Sequence, residues 1–112
     1  MALADIYPAK TAVIAAGAAT QTAVVAAVAG ARIYVLGYVL NCSTAAGTFK
    51  FESASTALTG EMSLAVGGSI AAGFNPYGWL KTAVGEALNI TAAGSNALGK
   101  GHVCYCVVPN CA

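Results

Sequence analysis

Hydrophobic and polar positions along this chain alternate in short runs, at the spacing of strands rather than helices. Thr48-Phe49-Lys50-Phe51-Glu52 sends both Phe side chains to one face and Lys50 and Glu52 outward on the other. Within Ala87–Thr91, Leu88 and Ile90 oppose Asn89 and Thr91 in the same way. The run Ile33–Leu40 is apolar on both faces, with Ile33, Val35 and Val39 on one and Tyr34, Leu36, Tyr38 and Leu40 on the other. This predicts a central strand with cover on each side. Five of those eight residues are β-branched or aromatic, and Gly37 in mid-run costs a helix about 1 kcal/mol.

Other runs repeat the theme: Thr11–Ala15, Thr22–Val28, Ala57–Thr59, Glu61–Leu64, Ser69–Phe74 and His102–Val108. Turn signals fall between them at Ser43–Gly47, Gly67-Gly68, Asn75-Pro76-Tyr77-Gly78, Gly94-Ser95-Asn96 and Gly99–Gly101. About eight short strands with Gly-rich turns predict an all-β fold, a single-domain β-sandwich or jelly roll over residues 1–112. Residues 1–8 read as an N-terminal arm, with Ile6 and Tyr7 either anchored on a neighbour or frayed. Residues 109–112 read as a C-terminal tail.

Composition changes the picture of the surface. The chain has 112 residues, of which 58% are apolar and 8% charged, with a net charge of +1. Of the apolar residues 26 are Ala, so the larger side chains make one ordinary core and the exterior is neutral. A disordered tail needs more charge and fewer hydrophobes. A nucleic-acid binder needs a basic stripe, which five scattered cations do not make. Little repulsion opposes association, so we expect an assembled protein. The uncharged stretch between Lys10 and Arg32 is Ala-rich and interrupted by Thr20-Gln21-Thr22, and Asp5 and Pro8 stand where a leader's cationic region belongs. Neither a leader nor a membrane span is expected.

Four cysteines, Cys42, Cys104, Cys106 and Cys111, allow three pairings if all are intrachain. On a strand His102, Cys104 and Cys106 share a face. Neighbours at that spacing are poorly placed to bond each other, so each would meet a partner on another segment. Cys42 ends the central strand and is a plausible partner for Cys104 or Cys106. Cys111 either folds back or crosses to a neighbouring subunit, and the plain alternative leaves all four reduced. A His-Cys zinc site lacks the tight turn spacing of structural zinc, so no metal or other cofactor is expected. His102 with either nearby thiol is the one nucleophile–base pair available, and no elbow, P-loop or dinucleotide fingerprint accompanies it. No enzyme activity is expected.

The stretch Gly30–Asn89 resembles a known family. It reads Gly30-Ala31-Arg32-Ile33-Tyr34-Val35-Leu36-Gly37-Tyr38, then Phe49-Lys50-Phe51-Glu52-Ser53 and Leu58-Thr59-Gly60. After Gly67-Gly68 come Asn75-Pro76-Tyr77-Gly78-Trp79-Leu80-Lys81-Thr82 and Gly85-Glu86-Ala87-Leu88-Asn89. This pattern is similar to the capsid decoration, or cement, proteins of tailed bacteriophages. The resemblance covers a little over half the chain and includes no catalytic motif, and the cysteines of the last strand depart from it. It implies a homotrimeric β-sandwich on the outer surface of an HK97-type shell, bridging phage major capsid protein subunits in the virion. Neither nucleic acid nor membrane is an expected partner. Tyr77 and Trp79 are candidate interface anchors, although Trp79 would equally plug the open end of a sandwich. Arg32 and Glu86 are expected at seams, paired across subunits or solvated. A phage tail, fibre or baseplate module and a non-phage disulfide-linked binding domain are the competing readings.

Overall fold

A computed structural model of the protein describes residues 6–17, 19–94 and 97–109. The described residues form ten strands: β1 (Lys10–Ala16), β2 (Gln21–Val25), β3 (Ala31–Ser43), β4 (Gly47–Ser53), β5 (Thr56–Ala57), β6 (Met62–Leu64), β7 (Ser69–Ala72), β8 (Leu80–Lys81), β9 (Leu88–Ala93) and β10 (Leu98–Pro109). They build two antiparallel sheets. One runs β1-β10-β3-β7, with β8 also on β3; the other runs β2-β9-β4-β5, with β6 also on β4. The pieces β7 and β8 share one edge, and β5 and β6 share another. Eight strand positions therefore remain, in the order of a jelly-roll β-sandwich.

The core lies between the sheets. Phe49 and Phe51 from β4, Leu88 and Ile90 from β9, Ile14 from β1 and Val103 from β10 are essentially inaccessible. They pack with Ile33, Val35, Leu40 and Cys42 of β3. Tyr38 meets Phe51 edge-on, with ring centroids 4.9 Å apart.

The face assignment expected for β3 holds only for its first half. The pairing of β3 with β10 shifts register, from Cys104↔Gly37 to Tyr105↔Val35, so Leu36 is an extra residue. This β-bulge flips the alternation. Ile33 and Val35 face the core before it; Tyr38, Leu40 and Cys42 face the core after it. Val39 is thereby turned to the outer face, 37% exposed.

The glycines at 99 and 101 are not a turn either. Both lie inside β10, opposite Cys42 and Leu40. A Cβ on Gly99 would stand 2.9 Å from the Phe49 ring, and one on Gly101 would stand 1.9 Å from the Val39 carbonyl oxygen. Gly101 also has φ of 153°. Here glycine permits close approach inside a strand. Pro109, expected in the tail, is the last residue of β10 and pairs with Ala31.

Candidate functional site

The most distinctive surface feature is the loop Gly73–Trp79, which interrupts the β7–β8 edge. Ala72 pairs with Tyr38 and Leu80 with Val35, so seven loop residues span a gap of two on β3. The excess chain is expelled outward. It carries Phe74 at 59%, Tyr77 at 67% and Trp79 at 54% exposure. Three large aromatics so exposed on one loop form an apolar patch of the kind that marks interaction sites.

The loop is held firmly. The N–H groups of Asn75 and Trp79 donate to the carbonyls of Leu36 and Val35, each at 2.7 Å. Asn75 Oδ1 accepts from the Tyr77 N–H at 3.0 Å, and Asn75 Nδ2 donates to the Gly78 carbonyl at 3.3 Å. This is the Asx turn that the Asn-Pro-Tyr-Gly sequence favours. Gly78 has φ of 90°, and a Cβ there would press on the Tyr34 ring at 3.2 Å. Trp79 Nε1 donates to the Gly73 carbonyl at 2.7 Å, closing the loop across its base. Beyond β8, buried Thr82 clips the chain to β3: its N–H donates to the Ile33 carbonyl at 2.9 Å and its Oγ1 accepts from the Ile33 N–H at 3.0 Å.

A hollow lies on each side of the loop. One, about 280 Å³, is lined by Tyr34, Tyr77, Gly78, Trp79, Leu80 and Lys81. The other, about 260 Å³, lies over the outer face of β3 and β10 and includes Val39, Phe74, His102 and Cys104. Trp79 thus flanks a surface cleft and does not plug the sandwich. Phe74, Tyr34 and Lys81 belong to this region but were not among the expected anchors. Phe74 read as the end of a strand, and nothing in the sequence announced that Tyr34 would face the loop.

The thiols separate. Cys42 points into the core and its Sγ donates to the Ala45 carbonyl at 3.0 Å. Cys104 and Cys106 alternate with core-facing Val103 and Tyr105 and so lie on the outer face. The expected meeting of Cys42 with either is therefore corrected: they sit on opposite faces of the sheet, and Cys42, Cys104 and Cys106 are all free. Burial raises the Cys106 thiol pKa, and nearby Cys104 adds to the rise, so Cys106 is held as thiol and unreactive. Among the described residues no cluster of three or more His, Cys, Asp or Glu is placed to hold a metal ion. Cys111 lies outside the described residues.

The other expected anchors scatter. Ile6 is exposed and Tyr7 half-buried ahead of β1. Arg32 and Glu86 are both half-buried but form no ion pair; Glu86 instead accepts from Ser53 Oγ at 2.5 Å. Among the described residues the one ion pair is Lys50–Glu52, at 4.0 Å.

Glu52 corrects a further expectation. It does point outward from its sheet, yet it is only 5% exposed. Its Oε1 accepts from Gln21 Nε2 at 3.0 Å and from Thr91 Oγ1. Burial pushes the carboxyl pKa up, but the hydrogen bonds from Thr91 and Gln21 and the Lys50 charge outweigh it, and the net shift is downward from 4.5. Gln21 Nε2 and Asn89 Nδ2 both donate to the Ala54 carbonyl, at 2.7 and 2.9 Å. No helix among the described residues is long and apolar enough to cross a membrane. Compared with protein-family models, with curated proteins and with solved structures, the chain matches none.

Proposed function

We propose that this protein is a capsid decoration protein. It binds the outer surface of an HK97-type shell and stabilises it by bridging major capsid protein subunits. The observation that carries the reading is the aromatic loop on an otherwise neutral exterior: Phe74, Tyr77 and Trp79 stand out on a loop already fixed by its own hydrogen bonds. Exposed Tyr and Trp on a preordered segment are the usual anchors of protein interfaces, because little conformational freedom is lost on docking. The sequence resemblance supplies the partner. A homotrimer presents three such loops, and each contact made after the first is effectively intramolecular. Moderate contacts then sum to a firm clamp.

The test is co-sedimentation with expanded shells that lack decoration. Saturable binding, with a raised temperature of shell disruption, is expected. Absence of binding at tens of micromolar protein would sink the proposal and favour the tail, fibre or baseplate reading.

A further inference from the structure

The four open edges of the two sheets differ in kind. The β7–β8 edge is split by the aromatic loop, and the β5–β6 edge is split by residues 58–61. The β2 edge shifts register against β9 between Ala23 and Val25. Such interruptions stop a sheet from pairing with another chain. Strand β1 has none. It keeps one register with β10 over all seven residues, from Lys10↔Tyr105 to Ala16↔Gly99. Its other edge is hydrogen-bonded to no strand among the described residues. No proline or charge occurs from Thr11 to Ala16, and the guarding residues Pro8 and Lys10 stand at one end. Val13, its midpoint, is 76% exposed on the outer face.

We propose that β1 pairs antiparallel with β1 of a second copy of this chain, about a two-fold axis at Val13. The register itself names the occupant. Val13 meets its own counterpart, Ala12 meets Ile14, Thr11 meets Ala15, and Lys10 meets Ala16. Core-facing Ala12 and Ile14 meet across the axis, as do exposed Thr11, Val13 and Ala15, while exposed Lys10 falls opposite buried Ala16 at the two ends. No two like charges are brought opposite, and two exposed valines cover each other. The row Val13–His102–Val39 continues into its counterpart, giving one sheet through both copies. The contact is isologous, so between homotrimers it joins one trimer to the next.

Native mass measured over a range of concentrations tests this without any shell. The wild-type protein is expected at an even multiple of the 11.0 kDa chain mass. Val13→Lys places like charges opposite each other across the axis and should break this contact, leaving a single chain or a single trimer, as should Val13→Glu. Mixing the two variants should restore it. Val13 is exposed, so each variant should still unfold in one cooperative step, at the urea midpoint that wild type approaches on dilution, which is checked alongside. An odd multiple for the wild type, a single chain included, overturns the proposal. So does a Val13→Lys variant of unchanged mass, or a mixture that fails to re-associate. Because shells are absent, the outcome is independent of the decoration reading.

Discussion

The outer faces of the two sheets handle their surroundings in opposite ways. On the β2-β9-β4 face, polar groups satisfy one another: Glu52, Gln21, Thr91 and Lys50 form one network, and Asn89 joins it through Ala54. On the β1-β10-β3 face the exposed groups include Val13, Val39 and the aromatics of the edge loop, with His102 between the valines. The first face is complete without a partner. The second leaves apolar area in water, and a free protein gains nothing from that. That second face carries charge as well: Arg32, Lys81 and Lys100 stand on the same side of the sheet as His102. The contrast separates a face that maintains the fold from a face available for contact.

Both faces hang on the central strands, so the comparison collapses most completely there. Gly101→Ala drives a Cβ into the Val39 carbonyl and should cost about 3 kcal/mol or more of stability. A large drop in the urea midpoint, with shell binding lost as well, is the expected result. Next in size is Tyr77→Ala. Truncating an exposed anchor should weaken shell binding by about 2 kcal/mol and change stability by no more than about 0.5 kcal/mol. Equal losses in both measurements would erase the distinction between the faces. Glu52→Ala is its mirror. Leaving Thr91, Gln21 and Lys50 without their acceptor should cost about 1–3 kcal/mol of stability, while shell affinity stays at the wild-type level.

The smallest effect is acid dependence. The folded-state pKa of Glu52 is lowered below 4.5, so the unfolded chain takes up the proton first as pH falls. The stability this group contributes is present above 4.5 and is lost as pH drops through the folded value. The stability gap between wild type and Glu52→Gln should be constant at neutral pH and shrink below 4.5. A gap that widens on acidification would contradict the downward shift.

The sandwich was legible because its strands carry their own patterns. Phe49, Phe51, Leu88 and Ile90 are read from alternation alone and all four are buried. What escaped reading depended on relations between strands. The Leu36 bulge exists only as an offset between β3 and β10, and no local pattern encodes it. Gly99 and Gly101 carry the residue type of a turn, but the reason for glycine is a neighbour's ring and a neighbour's carbonyl. Glu52 alternates like a solvated charge, and its partners Gln21 and Thr91 lie 31 and 39 residues away. The aromatic loop was half legible: Asn75-Pro76-Tyr77-Gly78 announces a turn. Which edge it would interrupt depends on β3.

Trp79 is the sole tryptophan of the chain, and it sits half exposed on the loop, outside the core. That location sets what ultraviolet spectroscopy can see. The intrinsic emission of the folded protein should already lie toward the red, as for a wetted indole. Denaturation should move it little, so a flat fluorescence trace would be a poor measure of unfolding. Occlusion of the loop by another protein should instead shift emission to the blue. The molecule thus carries an optical probe that answers to docking and is nearly blind to its own core.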